Sequence, residues 1–168
     1  MANITLGGTP VETIGSLPNI GDKAPDFNLT VSDLSTKKLS DFKGNKVVLN
    51  IFPSVDTGIC AASARAYNKE AAEMKNTKVL CVSKDLPFAQ ARFCGAEGLE
   101  NVIMLSDFKD GKFGKDYGLE FTTGAFQGLH SRCVIVLDEN GVVKYTEQIK
   151  ETGDEPNYKA SLQALLDE

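Results

Sequence analysis

The sequence predicts an α/β domain in which a central mixed sheet is flanked by helices. Two strongly apolar segments, 46–52 and 79–83, have the length of buried strands, and an alanine-rich helical segment, 58–75, separates them. A strand, a helix and a strand at this spacing indicate a βαβ unit with parallel strands. Asn140-Gly141 between two later apolar segments predicts an antiparallel hairpin, so the sheet should be mixed.

Two shorter elements precede the βαβ unit. Residues 3–14 predict a small hairpin around Gly7-Gly8-Thr9-Pro10, which would serve as an accessory lid or as a cover for a sheet edge. Residues 26–31 alternate apolar and polar side chains, which is the pattern of a half-buried strand. We therefore predict one domain over residues 1–168, with residues 1–16 as an N-terminal β-hairpin extension.

A helix, a strand and a C-terminal ββα unit follow the βαβ unit. We expect Asp85 to cap the helix, Pro87 to lie in its first turn, and Gly95 and Gly98 to end it. A helix-flanked mixed sheet with βαβ first and ββα last is the thioredoxin-like arrangement. The later predicted elements are a strand at 102–105, a short helix at 112–117, a loop at 118–131, strands at 133–137 and 142–148, and a helix at 156–166 with Tyr158, Leu162, Leu165 and Leu166 on its inner side.

Length, composition and charge narrow the class of function. The chain has 168 residues, of which 42% are apolar and 24% charged, as in an ordinary globular protein. Its net charge of −5 argues against non-specific binding to nucleic acid. No apolar run approaches the length of a membrane helix, which is about 20 residues. The N-terminus lacks the basic region followed by an apolar one that is typical of a signal peptide. We therefore expect a cytoplasmic protein that binds neither nucleic acid nor membrane.

Cysteine is the residue type that points to chemistry. The four cysteines are Cys60, Cys81, Cys94 and Cys133. In a chain of this length without a secretion leader, we expect redox or catalytic use of cysteine rather than a disulfide scaffold. There is no Cys-x-x-Cys pair, and the single histidine, His130, cannot complete a Cys/His zinc site at the usual spacings. We therefore expect no metal site.

Cys60 is the candidate nucleophile. It follows a buried strand, Pro53, a polar loop and Thr57, and it stands where an alanine-rich helix begins. The thiolate is the reactive form of cysteine, and the partial positive charge of a helix N-terminus favours it. Thr57 precedes Cys60 by three residues, so its hydroxyl can anchor the turn or contact the sulfur. Arg132 opens a later strand whose start can face this loop, and a guanidinium there would add a fixed positive charge.

Several of these residues also have a purely structural explanation. Cysteine is often buried as a small apolar residue, so Cys60 can belong to the core. Thr57 can be a plain helix cap, and Pro53 can be a strand terminator that also forms an apolar wall over the sulfur. Cys81 and Cys133 lie inside predicted strands, so we expect both to pack in the core.

Cys94 is the preferred disulfide partner of Cys60. It lies on or just past a helix beside Gly95, where a helix end can fray, and its alternative is a core cysteine on a helix face. A disulfide needs Cα atoms about 4.4–6.8 Å apart. Two formed helices do not provide this distance without local unwinding, so we predict that the reduced and oxidised states differ around residues 56–62 and 88–96.

His130 and four phenylalanines are weaker candidates. His130 would be the base of a Cys/His hydrolase, but no local signature supports that role, and we expect an exposed loop histidine. Phe88, Phe93, Phe121 and Phe126 could line an apolar substrate pocket, although we expect most of them in the core and one or two at a groove.

Two long blocks of the sequence, residues 50–63 and 85–94, carry a family resemblance. Within the first, Pro53-x-x-x-Thr57-x-x-Cys60 resembles the active-site motif of the peroxiredoxins, and the two blocks together resemble the thiol peroxidase branch of that family. The resemblance runs essentially from end to end. It includes the leading hairpin, Gly21-x-x-Ala24-Pro25-x-Phe27-x-Leu29 and Gly128-Leu129-x-x-Arg132.

The resemblance implies a thioredoxin-like fold and a thioredoxin-dependent peroxidase of the atypical two-cysteine kind. By this resemblance Cys60 is the peroxidatic cysteine, Cys94 is the resolving cysteine, and Pro53 is the shield. Thr57 and Arg132 are the polar activators. The implied enzyme reduces alkyl or lipid hydroperoxides and hydrogen peroxide through a Cys60 sulfenic acid and a Cys60–Cys94 disulfide, which thioredoxin recycles. The resemblance further implies antioxidant defence, a homodimer, and no metal, flavin or haem cofactor.

Other interpretations stay open at this point. A redox sensor would form the same disulfide in order to change its binding to a partner protein, and it would not consume peroxide continuously. A general dithiol oxidoreductase is disfavoured by the missing Cys-x-x-Cys pair, and a Cys/His hydrolase by the single histidine. Cys81 matches a third cysteine often present in the branch. Cys133 departs from the small apolar residue expected after Arg132, which leaves open a second thiol close to the site.

Overall fold

A computed structural model describes residues 3–166 of the chain, so the outer limits of the predicted domain, residues 1 and 168, lie outside the described residues. The strands are β1 (Ile4–Leu6), β2 (Thr9–Val11), β3 (Asn28–Thr30), β4 (Thr36–Lys38), β5 (Lys46–Ile51), β6 (Thr77–Ser83), β7 (Val102–Ser106), β8 (Cys133–Leu137) and β9 (Val143–Gln148). The α-helices are α1 (Gly58–Ala71), α2 (Pro87–Glu97), α3 (Lys112–Asp116) and α4 (Tyr158–Leu166), and a 3₁₀ helix spans Leu39–Phe42. None of the helices within residues 3–166 is long and apolar enough to cross a membrane.

Seven strands form one mixed sheet in the order β4-β3-β7-β6-β5-β8-β9. β5 is an inner strand because its apolar side chains can be buried on both faces, and it pairs parallel with β6 and antiparallel with β8. β6 and β7 are also parallel, which completes the βαβ layout. β8 and β9 form the antiparallel hairpin predicted from Asn140-Gly141. The mixed sheet flanked by helices is therefore confirmed.

The two faces of the sheet bury separate apolar clusters. Side chains alternate between faces along a strand, so Val48 packs with α1, α2 and α4, whereas Leu49 packs with α3. We call the side that carries α1, α2 and α4 the α1 face. Cys60 and Cys81 belong to the cluster on the α1 face, and Cys133 belongs to the cluster on the opposite face. The second thiol that the sequence left open at Cys133 therefore lies across the sheet from Cys60.

The N-terminal hairpin is confirmed, with a shorter turn than predicted. β1 and β2 form their own two-stranded antiparallel sheet, and Leu6 pairs directly with Thr9. The turn is therefore Gly7-Gly8 alone. Both glycines have positive φ, at 58° and 83°, a backbone conformation that other residues rarely adopt.

Three details of the prediction are wrong. β4 was not expected, because its residues Thr-Lys-Lys are all exposed and show no apolar alternation. Gly95 does not end α2, because the helix continues through it to Glu97, whereas the predicted end at Gly98 is confirmed, with a left-handed φ of 67° at that residue. Leu166 is exposed rather than on the inner side of α4, whereas Leu165 is buried. The spacing of apolar residues does not determine which of two neighbouring leucines in the last turn of a helix faces the core.

The two strand cysteines predict a response of the fold to alkaline pH. Burial raises the pKa of Cys81 and that of Cys133 to about 12. In the unfolded chain a cysteine loses its proton near pH 8.5, so only the unfolded state is stabilised by ionisation between these values. The contribution of each thiol to stability is therefore complete below about pH 8.5 and is lost as the pH rises towards 12.

We expect the free energy of unfolding of the unmodified protein to fall by about 2 kcal/mol more between pH 8 and 9.5 than that of the Cys81→Ala/Cys133→Ala variant. Urea unfolding in the presence of a reductant measures this difference. The variant itself is expected to be less stable at neutral pH, because each substitution leaves a small cavity. Parallel pH profiles for the two proteins would contradict the prediction.

Candidate active site

The candidate site lies where the chain passes from β5 to α1. β5 ends at Ile51, Phe52 and Pro53 are buried, and α1 begins at Gly58 after a polar loop. Cys60 is in the first turn of α1 and its side chain is fully buried. Its sulfur therefore lies at the positive end of the helix and away from bulk water, and both features strengthen its interaction with nearby donors.

Thr57 contacts the sulfur and does not cap the helix through its side chain. Its backbone occupies the N-cap position, but its hydroxyl makes no capping hydrogen bond. The hydroxyl Oγ1 lies 2.6 Å from the Sγ of Cys60 and donates to the carbonyl oxygen of Ser54 at 2.9 Å. A hydroxyl has only one proton. If Cys60 is a thiol, it can donate its proton to Oγ1 while the hydroxyl still donates to Ser54. If Cys60 is a thiolate, the hydroxyl must turn its proton from the Ser54 carbonyl to the sulfur.

Arg132, the residue directly before β8, reaches the same sulfur. Its Nη1 donates to the Sγ of Cys60 at 3.2 Å, and its Nε donates to the carbonyl oxygen of Thr152 at 2.8 Å. Arg132 is 3% exposed, and within residues 3–166 no carboxylate lies at ion-pair distance from it. A buried cation without a counterion is costly, so the hydrogen bonds to the Cys60 sulfur and to the Thr152 carbonyl offset part of the cost of burying this guanidinium.

Asp85 holds the loop in front of Cys60. Its carboxylate accepts hydrogen bonds from the hydroxyl of Ser54 at 2.7 Å, the backbone N–H of Val55 at 2.8 Å and the hydroxyl of Ser83 at 2.6 Å. The prediction that Asp85 caps α2 is wrong, because Leu86 is the N-cap residue and no side chain caps the helix. Asp85 and Ser54 meet because the carboxyl ends of the parallel strands β5 and β6 lie at the same edge of the sheet.

Asn50 ties the central strand to α1. Its side-chain amide donates to the hydroxyl of Ser63 at 3.3 Å and to the sulfur of Cys81 at 3.7 Å. Ser63 in turn donates to the backbone carbonyl of Cys60 at 3.1 Å. Asn50 is the one polar residue in the apolar run 47–52, and this is the sequence signal that indicates its buried contact.

Cys94 lies on α2 as predicted, on the same face of the sheet as Cys60. It is partly buried, and burial raises the pKa of its thiol. Both cysteines are free, and both stand on formed helices. A cavity of about 220 Å³ next to Cys94 is lined by Ala91 of α2, by Ile103 and Met104 of β7, and by Val31, which follows β3. The structure therefore shows a reduced state with an opening beside the second thiol.

His130 is not the exposed loop histidine that we expected. It is fully buried, and its Nε2 lies 2.9 Å from a carboxylate oxygen of Asp107. Asp107 also accepts the backbone N–H groups of Phe113 and Gly114, at 3.2 Å and 3.1 Å. His130 thus belongs to a polar cluster beside α3, and its described hydrogen bond is to Asp107 and not to Cys60.

The four phenylalanines mostly belong to the core, as expected. Phe93 and Phe121 are buried, and Phe126 packs partly buried against Phe121. Phe88 is the exception, since it is 65% exposed at the start of α2.

Similarity to known proteins assigns the family. Residues 19–162 match the family model described as Redoxin. The chain belongs to the redoxin family. The thiol peroxidases of Mycobacterium tuberculosis and Corynebacterium glutamicum are 52% and 50% identical to this redoxin over 165 residues, which cover 98% of this chain and 99% of each relative. The crystal structure of a peroxiredoxin-like protein from Aquifex aeolicus is 35% identical, covers 98% of this chain and 96% of its own, and gives a TM-score of 0.91.

These similarities confirm two predictions made from the sequence. The thiol peroxidase branch is confirmed, because the curated relatives match this redoxin over nearly its whole length. The thioredoxin-like fold is confirmed by the family model and by the structural neighbour.

The role of Asp85 predicts the effect of its substitution. An asparagine at this position has only one carbonyl oxygen for the three donors that the carboxylate accepts. We expect Asp85→Asn to lower the free energy of unfolding by about 1–3 kcal/mol and to accelerate hydrogen exchange at the Val55 amide. Urea unfolding and exchange measured by NMR test both effects.

Asp56→Asn is the matched control, because Asp56 lies in the same loop but pairs with Arg92 on the surface, where both side chains are more than half exposed. Its substitution should change the free energy of unfolding by less than about 0.5 kcal/mol. If Asp85→Asn resembles Asp56→Asn in both measurements, Asp85 does not hold the loop.

Proposed function

We propose that this redoxin reduces hydroperoxides with Cys60 as its peroxidatic cysteine and Cys94 as its resolving cysteine. The class of enzyme, a thiol-dependent peroxidase, is confirmed by the thiol peroxidases that match it end to end. The proposal assigns the steps of that reaction to residues. The observation that carries it is the convergence of the Thr57 hydroxyl and the Arg132 guanidinium on the sulfur of Cys60.

In the first step, the thiolate of Cys60 attacks one oxygen of the hydroperoxide and the O–O bond breaks. Cys60 becomes a sulfenic acid, and the other oxygen takes up a proton and leaves as an alcohol or as water. Negative charge moves from sulfur onto the oxygens during this step. The Nη1 of Arg132 already donates to the sulfur, so it can stabilise that charge without rearranging, whereas the Thr57 hydroxyl must turn its proton from the Ser54 carbonyl towards the sulfur.

In the second step, the sulfur of Cys94 attacks the sulfenic sulfur of Cys60, water leaves, and a disulfide forms. The raised pKa of Cys94 keeps this thiol protonated while α2 is folded. Unwinding of α2 around Cys94 would return the thiol to solvent and lower its pKa towards the ordinary value. The same movement would thus bring the two sulfurs together and activate the second one.

A dithiol reductant of the thioredoxin type completes the proposed cycle by thiol–disulfide exchange. We further propose alkyl or lipid hydroperoxides and hydrogen peroxide as substrates, antioxidant defence as the role, and the cytoplasm as the location. Pro53, which is buried at the end of β5, is proposed as the shield of the sulfur.

The single-domain organisation with a hairpin extension at residues 1–16 and the homodimer are also proposals. The family resemblance supports the dimer. Leu86 and Phe88 support it as well, since they expose apolar side chains at the start of α2, where a second copy of the chain could cover them.

Substitution of the cysteines tests the assignment. With cumene hydroperoxide and a thioredoxin system, we expect Cys60→Ser to abolish peroxide consumption. Cys94→Ser should still consume one equivalent per chain but should not be recycled by thioredoxin. Cys133→Ala is the control, because this thiol lies on the opposite face of the sheet, and it should keep turnover.

Two outcomes would overturn the proposal in different ways. Continuous turnover by Cys60→Ser would exclude Cys60 as the peroxidatic residue. A single oxidation of the unmodified protein, with no further consumption when reductant is supplied, would indicate a redox sensor.

Local unwinding during the cycle predicts where the oxidised protein becomes more mobile. We expect amide hydrogen exchange to be faster in residues 56–62 and 88–96 after oxidation, and unchanged in β5 and β8, because only the first turn of α1 and part of α2 must open. Peroxide-treated Cys94→Ser, which cannot form the disulfide, is the control. Crystal structures of the two redox states that coincide in both segments would contradict this expectation.

A further inference from the structure

We infer that the N-terminal hairpin positions the guanidinium of Arg132 for its contact with Cys60. The inference rests on the proposed roles of these two residues and extends them to a part of the chain that lies outside the main sheet. It assigns to the hairpin a positioning function in place of the lid or edge cover expected from the sequence.

The first link is the carbonyl oxygen of Thr152. Of the hydrogen bonds that the described residues make with Arg132 side-chain donors, one joins Nη1 to the sulfur of Cys60 and the other joins Nε to this carbonyl at 2.8 Å. A guanidinium is planar, so a bond at Nε sets the direction in which Nη1 points. The position of the Thr152 backbone therefore controls the position of the donor at the sulfur.

The second link is Thr5 of β1. Both the backbone N–H and the hydroxyl of Thr152 donate to the carbonyl oxygen of Thr5, each at 2.9 Å, and Thr152 is 1% exposed. The N–H of Thr5 donates in turn to the carbonyl of Lys150 at 2.7 Å. Glu151 adds a bond from the backbone N–H of Gly8 to its carboxylate at 2.8 Å. Residues 150–152 follow the end of β9, so β1 supplies the hydrogen bonds that a further strand would otherwise provide.

The third link joins the other side of the hairpin to the loop that leads into Arg132. The N–H of Ile14 donates to the carbonyl of Glu120 and the N–H of Thr122 donates to the carbonyl of Glu12, both at 2.9 Å. Val11 also packs in one apolar cluster with Phe121. The N-terminal segment therefore contacts the chain before β8, at residues 120–122, and the chain after β9, at residues 150–152. Arg132 stands directly before β8, between these two points of attachment.

The hairpin is separate from the two main apolar clusters. No residue of β1 or β2 belongs to either cluster of the sheet, and the match to the family model begins at residue 19, after the hairpin. Its apolar contacts are instead those of the small cluster around Ile4, Val11 and Phe121. Weakening its docking should therefore disturb the Thr152 carbonyl, and through it Arg132, more than the core of the domain.

Substitution of Thr152 tests the inference. Thr152→Val preserves the shape of the side chain but removes the hydroxyl that binds Thr5. We expect Cys60 to react with peroxide about fivefold more slowly in pre-steady-state measurements, because a displaced guanidinium stabilises the transition state less.

Three further variants separate positioning from general destabilisation. Thr152→Ser keeps the hydroxyl and should restore the rate at which Cys60 reacts. Thr30→Val removes a buried hydroxyl from β3, which three strands separate from β8 in the sheet, and should leave this rate unchanged. Glu151→Gln weakens the exposed hydrogen bond to Gly8 and changes no buried side chain. It should slow the reaction of Cys60 by a smaller factor than Thr152→Val, and it remains informative if Thr152→Val folds poorly.

The outcomes distinguish this inference from the proposed function. If Thr152→Val and Glu151→Gln lower only the midpoint of urea unfolding, and the rate at which Cys60 reacts with peroxide matches that of the unmodified protein, the hairpin has a structural role and the inference is wrong. If Cys60→Ser keeps its turnover, the proposed function fails instead. Equal losses in Thr152→Ser and Thr152→Val would also overturn the inference, because the serine retains the bond to Thr5.

Discussion

The structure of the site depends on the contact between the guanidinium of Arg132 and the sulfur of Cys60. A buried cation needs a negative partner, and a buried thiolate needs a positive one. Each residue therefore makes the other tolerable in a place that excludes water. The sheet makes the contact possible, because β5, which leads to Cys60, pairs directly with β8, which follows Arg132. The order of the strands in the sheet therefore brings the two residues together, and the side chains then make the contact.

The two halves of this contact are held by different parts of the chain. Asp85 fixes the loop in front of Cys60, and the hairpin docks against the segment that holds Arg132. The side that carries Arg132 is built from strands and backbone hydrogen bonds. The side that carries Cys60 is the first turn of a helix, which can open more easily. This asymmetry suits a reaction in which the sulfur moves and the cation stays in place.

The sequence predicted the site correctly where the residues that determine a side chain's position are close to it in the chain. The position of Cys60 at a helix start follows from a strand, a loop and a helix that are adjacent in sequence. Thr57 was correctly placed within reach of the sulfur for the same reason. Asp85 was misinterpreted because a helix-cap prediction uses only neighbouring residues, whereas its partner Ser54 lies on the adjacent strand connection. His130 was misinterpreted because nothing local shows that Asp107 will be buried beside it.

The βαβ unit, the C-terminal hairpin, the family and the cysteine in the first turn of α1 could all be predicted from the sequence, since periodicity, turn residues and motif spacing are local properties. The donors that meet at the Cys60 sulfur, the face on which Cys133 lies and the contacts of the N-terminal hairpin could not, because these contacts join residues far apart in the chain. They exist only after β5 has paired with β6 and β8 and each strand has divided its side chains between two faces.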